Sequence, residues 1–138
     1  MPSLIYPLDK CAKAFPKPLT VMRILYVENH ARFAAVAMAQ VLASHDVTLV
    51  PSVVDARQAL ADNTFDVVLV DYDLDDGKGD EVVMALRTQP LRCPFIIAVS
   101  SHQAGNAALT AAGADAVCSK MQFSMIENVI AGLVHNGG

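Results

Sequence analysis

Acidic side chains crowd one stretch of this 138-residue chain. Between Asp71 and Glu81 lie six of its fourteen acids and one base, Lys78, so the stretch carries −5 while the rest of the chain sums to +1. Asp71 follows directly on the apolar run Val67–Val70. A carboxylate at that point needs a partner, because burying a lone charge is costly. Carboxylates drawn together repel one another unless a cation or a proton intervenes, and hard oxygen donors of this kind favour Mg²⁺ or Ca²⁺. The other acids of the loop, Asp75, Asp76, Asp80 and Glu81, read as a solvated turn.

The elements that must position Asp71 follow from the periodicity. Ile24–Val27 is a buried-strand run, and the alanine-rich stretch Ala31–Ser44 a helix. Val47–Val50 is a second strand, followed by a helix over Ala56–Ala61. Phe65–Val70, apolar on both faces and β-branched, is the clearest strand. Glu81–Arg87 predicts a third helix, Phe95–Val99 a fourth strand, and Asn106–Ala112 a helix stopped by Gly113. Ala116–Cys118 is a short fifth strand. Ser124 and Glu127 have the spacing of a capping box ahead of Ile126, Val129, Ile130 and Leu133 at helical intervals.

Five strand–helix repeats in this length imply an α/β fold, a doubly wound parallel sheet with helices on both faces. Five strands favour the order 2-1-3-4-5. That order sets strands one and three side by side, roughly 4.8 Å apart. Strand one ends in Glu28-Asn29 and strand three in Asp71, so these groups can converge on one small ligand.

Composition narrows the classes further. Hydrophobic residues make up 54% and charged ones 17%, enough to bury a core and too apolar for a disordered chain. No basic stripe exists to meet phosphates, so nucleic acid is not an expected partner. Cys11, Cys93 and Cys118 are odd in number and form no CxxC pair, which argues against a disulfide framework or structural zinc and makes a cytoplasmic location the expectation. Cys93–Ala114 lacks Asp, Glu, Lys and Arg for 22 residues. Its centre, Ser100-Ser101-His102-Gln103, is too polar for a membrane span. Residues 1–20 hold four of the seven prolines and no sustained period. They read as an extension, surface-laid or disordered and without the apolar run of a signal peptide, ahead of a folded unit over residues 21–138.

Two local patterns invite comparison. Asp71-x-Asp73-x-Asp75 starts like an EF-hand loop, but the sixth position is Asp76 rather than Gly and the twelfth Val82 rather than Glu, which excludes it. Asp71-Tyr72-Asp73 after an apolar strand also resembles the DxD pair of haloacid-dehalogenase-like phosphatases. Those enzymes usually carry the pair on the first strand and are generally longer.

A wider resemblance covers Met22 to about Leu133. RILYVEN at strand one, DVVLVDYDLDDGKG at strand three, IIAVSS at strand four and AGADAVCSK at strand five resemble the receiver domain of two-component response regulators, CheY-like proteins with the flavodoxin-like (βα)5 fold. Gly79 stands eight residues past Asp71 and Gly113 seven before Lys120, as in that family. Any one of these motifs is weak; four in order carry the resemblance. It implies a signalling domain rather than an enzyme in its own right. Asp71 would take a phosphoryl group from a sensor histidine kinase or phosphotransfer protein to give an acyl phosphate. Mg²⁺ would be held by Asp71, Glu28, Asn29 and the backbone carbonyl of Asp73. Lys120 would meet the phosphoryl oxygens, with a hydroxyl from Ser100 or, in a shifted register, Ser101.

Three departures stand against the family pattern. Asn29 replaces the second acid after strand one, removing a charge from the metal site. Val117 replaces the aromatic that rotates on activation in many receivers. Met121 replaces the usual proline after Lys120, so the cis bond of that family is not expected here. These departures motivate an alternative, a pseudo-receiver that works as a phosphorylation-independent interaction module. With only His135–Gly138 beyond the last helix, output is expected through a protein contact, for which the family's helix 4–strand 5–helix 5 face is the candidate. The charged residues that many DNA-binding relatives use for a dimer on that face are missing between Gln103 and Ala114, so that dimer is not expected.

Overall fold

The computed structural model describes residues 21–88 and 94–136. The expected N-terminal extension, Cys11 and Cys93 lie outside the described residues. In chain order the elements are β1 (Arg23–Val27), α1 (Ala31–Gln40), β2 (Asp46–Val50), α2 (Val53–Asp62), β3 (Val67–Val70), α3 (Gly79–Arg87), β4 (Phe95–Ala98), α4 (Gln103–Ala112), β5 (Ala116–Val117) and α5 (Ile126–Asn136), with a 3-10 segment at Lys120–Met125. The strands form one parallel sheet in the order β2-β1-β3-β4-β5, the expected doubly wound arrangement.

Alternation along β1 divides the core into two layers. Ile24 and Tyr26 face one side, packed with Ala34 and Ala37 of α1, Phe123, and Ile126, Ile130 and Val134 of α5. Leu25 and Val27 face the other, against Ala56, Leu60, Val82, Val83, Leu86 and Leu109. Strands buried on both faces need apolar residues at every position, which is why β1 and β3 read as continuous hydrophobic runs.

Several boundaries differ from the sequence reading, each for a physical reason. α1 ends at Gln40, short of Ser44, where Val41 and Leu42 both donate to the Ala37 carbonyl. α2 starts at Val53, because the Ser52 side chain caps it from one side and Asp76 from the other. α4 starts three residues early, at Gln103. The expected Ser124–Glu127 capping box does not head α5. Ser124 lies inside the 3-10 segment, and the Glu127 carboxylate meets His45 Nε2 at 2.6 Å. His45 Nδ1 accepts from Met22 N, so this pair fastens α5 to the start of β1.

Candidate functional site

The sheet itself delivers the acids. Val27 pairs with Val50 and with Val70 in register. The ladders continue one step further: Glu28 N donates to Val50 O at 2.9 Å and Asp71 N to Val27 O at 2.9 Å. Glu28 and Asp71 therefore sit one residue past neighbouring strand ends. Both are buried, at 2% and 6% exposure.

Lys120 reaches them from the far side of β5. Its Nζ donates to Glu28 Oε2 and to Asp71 Oδ2, each at 2.9 Å, and lies over the Phe33 ring, 5.2 Å from its centroid. Backbone amides finish the arrangement. His30 N donates to Glu28 Oε2 and Tyr72 N to Asp71 Oδ1. One ammonium thus serves two carboxylates, and the cluster keeps a negative charge. That surplus falls on Glu28. Burial pushes its carboxyl up to about 7, against the opposing pull of Lys120 and with a further push from the charge of Asp71. For Lys120, burial acts downward but the two carboxylates outweigh it and hold the ammonium above its ordinary value.

Among the described residues, two buried oxygens, Glu28 Oε1 and the Tyr26 hydroxyl, have no hydrogen-bond partner. Burial first, and then the negative charge of Glu28, keep that hydroxyl strongly protonated. An orphaned carboxylate oxygen within a net negative pair is where a cation would be accepted. The donors that the family resemblance assigns to a cation here, the carboxylates of Glu28 and Asp71, the Asn29 amide and the Asp73 carbonyl, are hard oxygens of the kind that suits Mg²⁺. Among the described residues no group of three or more His, Cys, Asp and Glu is arranged to hold a metal, so such a site depends on its neutral donors.

Four of the remaining loop acids, Asp73, Asp75, Asp76 and Glu81, have structural partners rather than solvent alone. Asp76 accepts from Val53 N at 2.6 Å and Val54 N at 3.1 Å, and those N–H groups hold its carboxyl below the ordinary range. It caps α2 from 23 residues away. Glu81 accepts from Lys78 N, and Asp75 accepts from Asn29 Nδ2 at 3.3 Å. The Asp73 side chain pairs with Lys78, turned to the one base of the acidic loop.

The two candidate hydroxyls part company. Ser100 is buried, and its Oγ accepts from His102 N at 3.0 Å. Ser101 is exposed and lines a groove of about 680 Å³ beside α4, together with Ala107, Thr110 and Val117. Ser100 follows Val99, whose amide donates to Val70 O, so it stands one step past the position opposite Asp71. Sequence reasoning missed Asn106, which is buried and bonded twice to the Ser100 backbone. Its signal was faint: one amide on the inward stripe of an alanine-rich helix, three residues before Leu109.

Comparison with known proteins gives this geometry a context. The chain matches the response regulator receiver domain family over residues 24–127. Among curated proteins, none is similar in sequence. Similar solved structures include the receiver domain of the sensor histidine kinase PA1611 from Pseudomonas aeruginosa, with a magnesium ion coordinated in its active-site cleft. It is 22% identical, has a TM-score of 0.75, and the match covers 83% of this chain and 98% of that one. A CheY-like receiver domain protein from Methanospirillum hungatei is 19% identical with a TM-score of 0.72, over 86% and 97% of the two chains. The phosphorylated cyanobacterial phytochrome response regulator RcpA is 19% identical with a TM-score of 0.64, over 83% and 91%. At these identities the likeness establishes the fold, and the family match covers most of the chain. With its parallel (βα)5 sheet and an aspartate at the end of β3, this chain belongs to the response regulator receiver domain family.

Proposed function

We propose that this receiver accepts a phosphoryl group on Asp71 from a phosphohistidine of a sensor histidine kinase or phosphotransfer protein and signals through a protein contact. The observation that carries the reading is Lys120 Nζ at 2.9 Å from both Asp71 Oδ2 and Glu28 Oε2. A carboxylate oxygen of Asp71 forms the new O–P bond as the N–P bond of the phosphohistidine breaks, and the imidazole nitrogen leaves with the electron pair. Such transfers depend on positioning and charge neutralisation more than on covalent help. Lys120 is already beside the nucleophile and passes to the phosphoryl oxygens; the Ser100 hydroxyl donates to one of them.

Glu28, Asn29, Asp71 and the Asp73 carbonyl would hold Mg²⁺, which supplies charge neutralisation for the transferring group. The receiver of PA1611 carries magnesium in its cleft, which supports the same ion here. The surface for output is the α4–β5–α5 face, in a cytoplasmic protein. Incubation with Mg²⁺ and acetyl phosphate or a cognate kinase is expected to add one phosphoryl mass, lost in Asp71→Asn. No adduct from any donor overturns the proposal.

One observation favours a second reading, a pseudo-receiver working as a constitutive interaction module. The Asn29 amide is engaged by Asp75, and the second acid of the metal site is missing. Magnesium binding that depends on Asp71 counts against this reading; no measurable binding counts for it.

A further inference from the structure

The loop after β4 is bolted to α4 by one side chain. Ser100 N donates to Asn106 Oδ1 at 2.9 Å, and Asn106 Nδ2 donates back to the Ser100 carbonyl at 2.9 Å. An asparagine amide carries a donor and an acceptor side by side, so it meets both backbone groups of one residue as a neighbouring strand would. The clamp is buried, and opening either half strands a polar group away from water. Gly105 brings the two segments closer still. A Cβ there would stand 2.7 Å from Ser100 Oγ and 2.9 Å from Tyr72 Cβ, so the first turn of α4 lies directly on the residues that follow Asp71 and β4. Thr110 Oγ1 donates to the Asn106 carbonyl at 2.8 Å, tying in the next turn.

Asn106, though buried, also borders the surface beside α4. It lines the groove beside α4 with Ala107, Thr110 and Val117. Val117 is 45% exposed, and its short side chain provides no aromatic lever between β5 and the site. A displacement of Ser100 nevertheless has a direct route to α4, because the backbone of Ser100 cannot move without Asn106 moving or the clamp opening.

We infer that Asn106 is a positioning residue that couples Ser100 to α4, so that loading of Asp71 shifts the α4 turn lining the groove without an aromatic relay. This rests on the phosphoacceptor reading above.

The test compares amide hydrogen exchange over α4 in the full chain before and after loading Asp71 with acetyl phosphate and Mg²⁺, the adduct being followed by intact mass. In the unsubstituted protein, exchange at residues 103–112 is expected to change at least threefold on loading. Asn106→Ala is expected to form the adduct and lose that change. Thr110→Val, which loosens α4 without touching Ser100, is expected to keep it. Asn106→Asp retains the acceptor for Ser100 N–H and loses the donor, so it serves if the alanine variant does not fold, with a reduced response expected. A full response in Asn106→Ala or Asn106→Asp, or loading without any change in α4, overturns the coupling alone. Absence of the adduct in the unsubstituted protein overturns the phosphoacceptor reading, and the coupling falls with it.

Discussion

Lys120 Nζ lies 2.9 Å from Asp71 Oδ2, a contact across 49 residues that joins the segment after β5 to the end of β3. The same nitrogen holds Glu28, so a single positive charge ties β1, β3 and the 3-10 segment together. The pairing is structural before it is chemical. Lys120 offsets part of the repulsion between two buried carboxylates, and a phosphoryl group or a cation proposed to bind here would have to compete for the same oxygens.

Replacing Lys120 with methionine keeps the aliphatic stem and removes the charge. Two buried carboxylates are then left facing each other, and breaking a buried pair in this way costs about 3–5 kcal/mol. Urea unfolding of Lys120→Met at neutral pH is expected to show a loss of that order. The loss should shrink in a Lys120→Met/Asp71→Asn double variant, because only one charge then remains to be stranded. Additive effects in this cycle would show that Lys120 and Asp71 are energetically independent.

Glu28 should make stability depend on pH. Its carboxyl is raised from 4.5 to about 7 by burial, with the charge of Asp71 adding to the rise and Lys120 opposing it. The folded state therefore keeps a proton that the unfolded state has already lost. This contribution to stability is fully present below the unfolded value and disappears as pH rises through about 7. In metal-free buffer the unfolding midpoint is expected to fall between about pH 5 and pH 8 more steeply than in Glu28→Gln. Parallel profiles for the two proteins would rule Glu28 out as the source.

Asn29 would set the charge of the proposed cation site. Asn29→Asp restores a second acid at the end of β1, and ligand charge count is a main control on affinity for a hard cation. Magnesium binding measured by calorimetry is expected to tighten about tenfold. The metal-free variant should be slightly less stable than its parent, since the new carboxylate would exchange a hydrogen bond to Asp75 for like-charge repulsion. Unchanged affinity would mean that the side chain at this position does not face the ion.

How much of this was legible depends on where each partner sits in the chain. β1 and β3 could be read directly, because burial on both faces demands unbroken apolar runs, and with them the placement of Glu28 and Asp71. Contacts between distant residues could not. Asp76 looked like one acid of a solvated turn, yet it caps a helix that starts 23 residues earlier. Glu127 had the spacing of a capping residue, but His45 from another part of the chain claims it. Asn106 was the costliest miss. A polar residue in an alanine-rich helix reads as a surface position, and only the packing of α4 on β4 turns its amide toward Ser100. Local pattern specifies elements; competition among side chains for partners is settled by tertiary structure.

Gly79 and Gly132 make a paired prediction because their surroundings are opposite. A Cβ at Gly79 would collide with the Asp71 carbonyl oxygen and stand 3.0 Å from Val70 Cγ2, whereas one at Gly132 would meet nothing within 4 Å. The obstruction at Gly79 is backbone and cannot rotate away. Gly79 N also donates to the Tyr72 carbonyl at 2.6 Å, which leaves α3 little freedom to retreat. Gly79→Ala must therefore displace either α3 or the peptide that carries Asp71, at a cost of about 1–3 kcal/mol. Gly132→Ala, in the interior of α5, should instead stabilise by roughly 0.5–1 kcal/mol through helix propensity. Urea unfolding reads both energies, and the rate of phosphoryl uptake from acetyl phosphate separates them further. Uptake should slow in Gly79→Ala and stay unchanged in Gly132→Ala. Normal uptake in a folded Gly79→Ala protein would mean that α3 gives way and Asp71 holds its position without it.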